Sequence, residues 1–337
     1  MRSAYSRFKR FLLFLVMVGV LLAGAGLWWI YQPLTLKLPA GAAALDLEIE
    51  PGNANQAAVA VVASGVDVPL RLLQLWFRLS GQARMIKAGS YEITPGSTPR
   101  SLLSMLARGD QTLRSVTFVE GWTFAQVRAA LQKAEHLGQQ TSGLEAEIIM
   151  NMVDKPGIHP EGRFFPDTYT YAKGSSDVGV LKRAARAMDK RLSTAWSLRS
   201  PDSPLKTPLD ALVLASIVEK ETGQAADRAQ ISGVFTNRLR LGMMLQTDPT
   251  VIYGLGSGFD GNLRRRDLLA DTPYNTYTRN GLPPTPIAMP GKAALLAAVQ
   301  PAPTQALYFV ARGDGSSQFS ASLEEHNRAV NKFIRKQ

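Results

Sequence analysis

The most constraining feature of this sequence is an uncharged apolar run, FLLFLVMVGVLLAGAGLWWIY, which extends from Phe11 to Tyr31. At about 1.5 Å per residue, a helix over this run is about 30 Å long, which matches the hydrocarbon core of a bilayer. Basic residues precede the run and aromatic residues end it, as at membrane interfaces. These flanking residues are Arg2, Arg7, Lys9 and Arg10, and Trp28, Trp29 and Tyr31. We predict a cytoplasmic tail over residues 1–10, a transmembrane anchor over 11–31 and an extracytoplasmic remainder.

A cleaved signal peptide is the competing interpretation, because Ala23-Gly24-Ala25 resembles a small-residue cleavage site. That site lies inside the apolar run and five bulky residues follow it within the run, so the uncleaved anchor is favoured. The chain has no cysteine. This excludes a lipid anchor on cysteine, disulfides, thiolate zinc sites, iron–sulfur clusters and a cysteine nucleophile.

The charge of the chain favours an anionic partner. Lys and Arg number 38 against 27 Asp and Glu, which gives +11, and +7 remains without the four basic residues of the first ten. Anionic lipid, an acidic polysaccharide and nucleic acid all qualify. We predict no nucleic-acid partner, because no nucleic-acid motif is present and no other basic run is interleaved with aromatic residues.

The pattern after the anchor predicts an α+β protein. Residues 32–44, rich in Pro, Gly and Ala, are predicted to be a tether. Residues 45–110 alternate strand, helix, strand and helix, which is typical of a small α+β module. Residues 111–335 are predicted to form a mixed α+β domain with a helical core. Its expected elements include helical structure over 124–154, a helix over 292–299 and a hairpin of 307–311 with 317–320.

One predicted helix carries the best candidate for acid chemistry. Thr207-Pro208-Leu209-Asp210 is a helix-capping pattern, and the helix is expected to end at Gly223. Eight uncharged residues, ALVLASIV, precede Glu219. Burial of such a helix would desolvate the Glu219 carboxyl and raise its pKa toward neutrality, as a general acid requires. Glu221 lies about 200° further round the helix, so the two acids cannot face one groove.

The residues alone leave alternatives open. Glu219-Lys220-Glu221 could be the solvated end of the helix. A hydrolase would need a second carboxylate, for which Asp248 and Glu161 are available. Asp248 could instead cap the turn before Pro249, and Glu161 lies in an aromatic loop that could be core. The histidines are far apart in sequence and lack metal-ligand spacing, so we predict no metal and no cofactor.

The segment ASIVEKETGQAADRAQISGVFTNRLRLGMMLQTDPTVIY, from Ala215 to Tyr253, resembles the YceG-like endolytic murein transglycosylases. Residues 45–110 are similar to the LysM-like subdomain of that family, and the single anchor agrees with it. The resemblance continues through EGRFFPDTY (161–169), PYNTYTRNGLPPTPIAMPG (273–291), LYFV (307–310) and SLEEHN (322–327). It therefore covers nearly the whole chain, with 111–335 as the catalytic domain.

The resemblance implies a lyase that cleaves the β-1,4 bond between N-acetylmuramic acid and N-acetylglucosamine inside peptidoglycan strands. The product would carry a 1,6-anhydro-muramyl end. The family's catalytic glutamate falls on Glu219, which would protonate the leaving oxygen and then accept the proton of the attacking C6 hydroxyl. The substrate-binding candidates are Gln246, Tyr274, Asn275, Tyr277 and Glu161.

The resemblance also implies a place and partners. The enzyme would lie in the bacterial inner (plasma) membrane with its catalytic domain in the periplasm, and would terminate growing glycan strands near peptidoglycan synthases. A non-catalytic glycan-binding scaffold is the alternative. A hydrolase with Asp248 or Glu161 as its base is a third hypothesis.

Overall fold

The computed structural model describes residues 2–39 and 42–335. The chain divides into two compact units, Met1–Arg114 with Ala172–Gly174, and Ser115–Tyr171 with Ser175–Gln337. Residues 40 and 41 of the predicted tether lie outside the described residues, as does residue 1 of the predicted tail. The observed architecture is mixed α+β, as the sequence predicts.

The elements of the first unit begin with a long helix and continue as short strands and helices. They are α1 (Arg2–Ile30), β1 (Thr35–Leu36), β2 (Leu45–Ile49), α2 (Ala54–Ala63), β3 (Val66–Asp67), α3 (Leu70–Leu79), β4 (Gly89–Ile93) and α4 (Pro99–Arg108). Within α1, Phe11–Ile30 is long and apolar enough to cross a membrane. This agrees with the predicted anchor to within one residue.

A β-α-α-β core follows the apolar helix. β2 pairs antiparallel with β4 in the register Leu45↔Ile93, and α2 and α3 lie between these strands in sequence. Alternate β2 residues are buried because one face of the pair covers the core that also contains Leu73 and Phe77. Asn53 caps α2 with a capping box, and Thr98 caps α4 in the same way, as its Thr-Pro sequence predicts.

The predicted tether is shorter than expected. Leu34 is buried in the core of the first unit, and its N–H donates to Ser97 O at 2.7 Å. β1 pairs antiparallel with β3. Residues 34–36 therefore belong to the folded unit, because Leu34 and Leu36 pack against its apolar core. The composition of this Pro-containing stretch does not predict that packing.

The second unit is mainly helical. It contains α5 (Phe124–Lys133), α6 (Ala146–Met152), α7 (Asp177–Ser197), α8 (Pro208–Glu221), α9 (Arg228–Arg240), α10 (Asp248–Leu255), α11 (Arg265–Leu269), α12 (Lys292–Val299), β7 (Tyr308–Ala311), β8 (Ser317–Ser320) and α13 (Leu323–Val330). β5 (Leu113–Thr117) and β6 (Thr168–Ala172) form a further two-stranded sheet. The predicted late helix and hairpin are confirmed. Helical structure does not extend through 124–154: α5 and α6 are separated by a loop in which His136 has φ 57°.

Helix α8 lies at the centre of this unit. Thr207 and Asp210 form the predicted capping box, with Pro208 in the first turn. Every residue from Ala211 to Val218 is buried, because α8 packs against α7, α9, α10 and α12. Because other helices surround α8, successive residues after Val218 contact different parts of the unit. The helix ends at Glu221, two residues before the predicted stop at Gly223.

Candidate active site

Glu219 and Glu221 leave the end of α8 in different directions, as the helical spacing predicts. Glu221 opens into a pocket of about 440 Å³, which we call the Glu221 pocket. Its polar lining comes from α8, α9, the start of α10 and two later segments. It includes Glu221, Arg238, Gln246, Asp248, Tyr277 and His326. Two residues predicted to bind substrate, Gln246 and Tyr277, therefore share a concave site with Glu221.

The Glu221 carboxyl is held in a defined orientation. The Thr247 hydroxyl donates a hydrogen bond to Glu221 Oε1. Burial raises the pKa of Glu221 above its usual range, the Thr247 hydrogen bond opposes that rise, and the negative charge of Asp248 adds to it. A carboxyl with a raised pKa retains its proton closer to neutrality, which suits a group that must donate it.

Arg238 holds the loop that carries Gln246 into the pocket. Its guanidinium Nη1 donates to Leu245 O at 2.9 Å and to Met244 O at 3.1 Å, while Nε donates to Leu307 O at 2.7 Å. Gln246 next in the chain has φ +50°, a left-handed conformation that a non-glycine residue adopts at a cost. Arg238 thus fixes a strained turn at the edge of the pocket.

Tyr277 and His326 also line the pocket. The Tyr277 hydroxyl donates to Asp248 Oδ1 at 2.6 Å. His326 stacks on Tyr308 with ring centroids 5.2 Å apart, and its Nδ1 has no hydrogen-bond partner among residues 2–39 and 42–335. Burial, and then the positive charge of Arg238, lower the pKa of His326. The imidazole therefore favours its neutral form, which presents one donor and one acceptor.

Glu219 has a different environment. Its side chain is 8% exposed, and Oε2 accepts the N–H of Gly291 at 2.9 Å. Oε1 lies 4.0 Å from Arg228 Nη2. Burial raises the pKa of Glu219, the Gly291 hydrogen bond opposes this, and the charge of Glu120 adds to it, while the charges of Arg228 and Lys220 also lower it. The predicted raised pKa is thus present, but Glu219 does not line the pocket that Gln246 and Tyr277 share.

Glu120 is a neighbour that sequence reasoning missed. A Cβ placed on Gly291 would lie 1.7 Å from Glu120 Oε1, so glycine at 291 lets this exposed carboxyl approach the backbone. The sequence around it, Val119-Glu120-Gly121, predicts only the end of a strand. The electrostatic effect of Glu120 on Glu219 could not be predicted, because the two residues are far apart in sequence.

Asn275 and Tyr274 make contacts within the fold and do not face the pocket. Asn275 is 1% exposed, and its amide Nδ2 donates to the carbonyls of Asp267, Leu268 and Ala270. Its Oδ1 accepts the N–H of Tyr277 at 2.9 Å, so it positions that tyrosine. Tyr274 packs edge-on against Tyr253. Neither residue lines the Glu221 pocket, and their predicted role in substrate binding stays a prediction.

Glu161 is a buried structural carboxyl in this arrangement. It is 3% exposed, its oxygens accept the N–H of Phe124 at 3.0 and 3.2 Å, and the Tyr253 hydroxyl donates to Oε2 at 3.1 Å. Burial raises the pKa of Glu161 to about 7, and these hydrogen bonds oppose the rise. The carboxyl joins the first turn of α5 to α10, away from the Glu221 pocket.

The raised pKa of Glu161 predicts a pH-dependent stability. Because this pKa is higher in the folded than in the unfolded chain, the stabilisation is fully present below the unfolded pKa and is lost as pH rises through about 7. Between about pH 5 and pH 8, the free energy of unfolding of the wild type should fall by about 2–3 kcal/mol relative to Glu161→Gln. Denaturant unfolding at both pH values measures this difference. Parallel pH dependence in the two proteins would contradict it.

The fold and site together define a mixed α+β protein with a membrane-length apolar helix near its N-terminus and an acid pocket at the end of a buried helix. The family model of the YceG-like family matches residues 47–332. The chain belongs to the YceG-like family.

Similar proteins include enzymes and one solved structure. The chain is 32% identical over 304 residues to the endolytic murein transglycosylase of Bacillus subtilis (strain 168). The aligned region covers 84% of this chain and 83% of that protein. The chain is also 28% identical over 284 residues to the endolytic murein transglycosylase of Streptococcus pneumoniae (strain D39). That aligned region covers 74% of this chain and 51% of that protein. A crystal structure of a yceG-like protein from Listeria monocytogenes is 29% identical, with a TM-score of 0.53 over 85% of this chain and 98% of that chain.

Proposed function

We propose that this chain is an endolytic lytic transglycosylase that cleaves peptidoglycan strands without adding water. The names of its relatives support the activity. The single structural observation that carries the proposal is the Glu221 pocket, in which a carboxyl with a raised pKa shares a concave site with the hydrogen-bonding side chains of Gln246 and Tyr277. Such a lining suits the hydroxyl and acetamido groups of a glycan.

The proposed reaction needs one carboxyl in two roles. Protonated Glu221 donates its proton to the oxygen of the β-1,4 bond between N-acetylmuramic acid and N-acetylglucosamine, and the bond breaks. The Glu221 carboxylate then accepts the proton of the muramyl C6 hydroxyl as that oxygen bonds to C1, so a 1,6-anhydro ring forms and the enzyme regains its proton. The negative charge of Asp248 at the pocket would favour the positive charge that develops at C1.

Glu219 is the alternative candidate for the proton donor, because the sequence resemblance predicts it. Two observations favour Glu221. Gln246 and Tyr277 share its pocket, and a Thr247 hydrogen bond orients it. The Glu219 carboxyl instead accepts a backbone N–H and lies near Arg228, a cation that favours the ionised form.

The mass of the products tests the reaction. Purified glycan strands are incubated with the full chain in detergent and analysed by mass spectrometry. Internal fragments with anhydro-muramyl ends are expected. Fragments heavier by one water would identify a hydrolase instead. Binding of strands without cleavage would favour the non-catalytic scaffold.

Further parts of the proposal concern location and the first unit. The apolar helix supports a single membrane anchor. We place it in the inner membrane, with the tail inside the cell and the catalytic unit outside, close to synthases whose strands it would terminate. The β-α-α-β order with an antiparallel strand pair supports a LysM-like assignment of residues 45–110, and residues 111–335 would be the catalytic domain.

A further inference from the structure

Helix α3 presents an unusual exposed face. Leu73 and Phe77 are buried in the core of the first unit. On the opposite side, Leu75 is 50% exposed and Leu79 72% exposed, and both lie between exposed arginines. The spacing i, i+4, i+7 and i+8 puts Arg71, Leu75, Arg78 and Leu79 on one face. Neighbouring exposed apolar side chains on one helix face, unlike single ones, are typical of an interaction surface.

Exposed basic and apolar side chains are also present in the turn after α3. Arg84 is exposed and Met85 is 58% exposed in the short 3₁₀ turn Ala83–Met85. Arg78 and Arg84 line one concavity of about 430 Å³. We call the set Arg71, Leu75, Arg78, Leu79, Arg84 and Met85 the α3 surface.

The charge of the α3 surface is uncompensated. Residues 68–91 contain no Asp or Glu. Within the described parts of the chain, Arg71, Arg78 and Arg84 make no ion pair and donate no side-chain hydrogen bond. Three free guanidinium groups beside exposed apolar side chains are the chemistry of a helix that rests on an anionic lipid surface.

The end of the apolar helix lies close to α3. Trp29 packs against the core of the first unit and Ile30 is buried, so no free tether separates helix and unit. The next residue, Tyr31, is hydrogen-bonded to Arg100, whose guanidinium also lies 5.0 Å from the Tyr31 ring. The neighbouring Pro99 carbonyl accepts a hydrogen bond from Trp76 of α3 at 3.1 Å. Two contacts thus connect the membrane helix to α3.

We propose that the α3 surface docks on the anionic lipid headgroups of the membrane that holds α1. This rests on the proposed anchor. Leu75, Leu79 and Met85 would enter the interface, and the three arginines would pair with lipid phosphates. A glycan is the less suitable occupant, because the α3 surface offers no aromatic ring to stack on a sugar.

A single-cysteine probe tests the docking, because the chain has no cysteine. Gln82, exposed between Leu79 and Arg84, is replaced in Gln82→Cys and labelled with an environment-sensitive fluorophore. The full chain is reconstituted in phosphatidylcholine vesicles with and without phosphatidylglycerol, and flotation establishes that it is anchored. Quenching by a headgroup-nitroxide lipid is then measured. The control is Val59→Cys, an exposed position beside Glu48 and Glu50.

The expected result is strong quenching at position 82 in anionic vesicles and little at position 59. Arg71→Glu with Arg78→Glu should lower quenching at position 82 by about fivefold or more. A chain that floats while both probes stay equally open to an aqueous quencher overturns the docking alone. A chain that does not float overturns the anchor. Protection of position 82 by soluble glycan fragments instead of lipid overturns the choice of occupant.

Discussion

Glu221→Gln is expected to lower the rate of glycan cleavage by about 10³-fold or more, because the proposed acid can no longer donate or accept the reacting proton. Glutamine keeps the size of the side chain and can still accept the Thr247 hydroxyl, so the fold should be unchanged. The rate of appearance of anhydro-muramyl ends measures the effect. Circular dichroism and the melting temperature establish that the variant is folded.

Glu219→Gln is the matched control on the same helix. Its amide oxygen can still accept the N–H of Gly291, so we expect this variant to keep most of the activity. A reversed outcome, with Glu219→Gln inactive and Glu221→Gln active, would move the acid to the residue that the sequence resemblance predicts. Equal loss in both would mean that each carboxyl is needed.

The pH profile gives an independent view of the same residue. Burial raises the pKa of Glu221, and only the protonated carboxyl can begin the reaction. The rate of cleavage should therefore fall as pH rises through that raised pKa.

The second large effect is expected from Arg238→Lys. A single ammonium cannot reach Leu307 O and the carbonyls of Met244 and Leu245 together, as the guanidinium does. Leaving buried carbonyls unpaired should lower the free energy of unfolding by about 2–4 kcal/mol. Release of the strained turn at Gln246 should lower the rate of cleavage by about 10²-fold.

Arg240→Lys provides the comparison for Arg238→Lys. Arg240 lies on the same helix but is exposed, and its guanidinium donates to Asp202 O at 3.0 Å on the surface. Its replacement should change the free energy of unfolding by about 0.5 kcal/mol or less. Denaturant unfolding and the cleavage assay are applied to both variants. Similar losses in the two would show that the hydrogen bonds of the Arg238 guanidinium to the loop carbonyls do not hold the pocket.

Local elements of this chain could be predicted because their causes are local. The capping residues at Thr98 and Thr207 begin helices where the sequence places them, and the hairpin of β7 and β8 forms around a glycine-rich turn. Sequence reasoning missed the α5–α6 break, although Gly138 and the Thr141-Ser142-Gly143 turn pattern lie within it. The buried Leu34 was missed because its apolar neighbours are distant in sequence.

The apolar helix, the α+β class, the family resemblance and the two acids at the end of one buried helix could all be predicted from the amino-acid sequence, because they follow from hydropathy, periodicity and short motifs. The sequence also separated Glu219 from Glu221 by the pitch of the helix. Which acid shares a pocket with Gln246 and Tyr277 could not be predicted in this way, since it depends on how the loop before α10, the loop before α12 and helix α13 pack together. Desolvation acts on both carboxyls, whereas the groups that face each one are set by contacts between residues far apart in the chain.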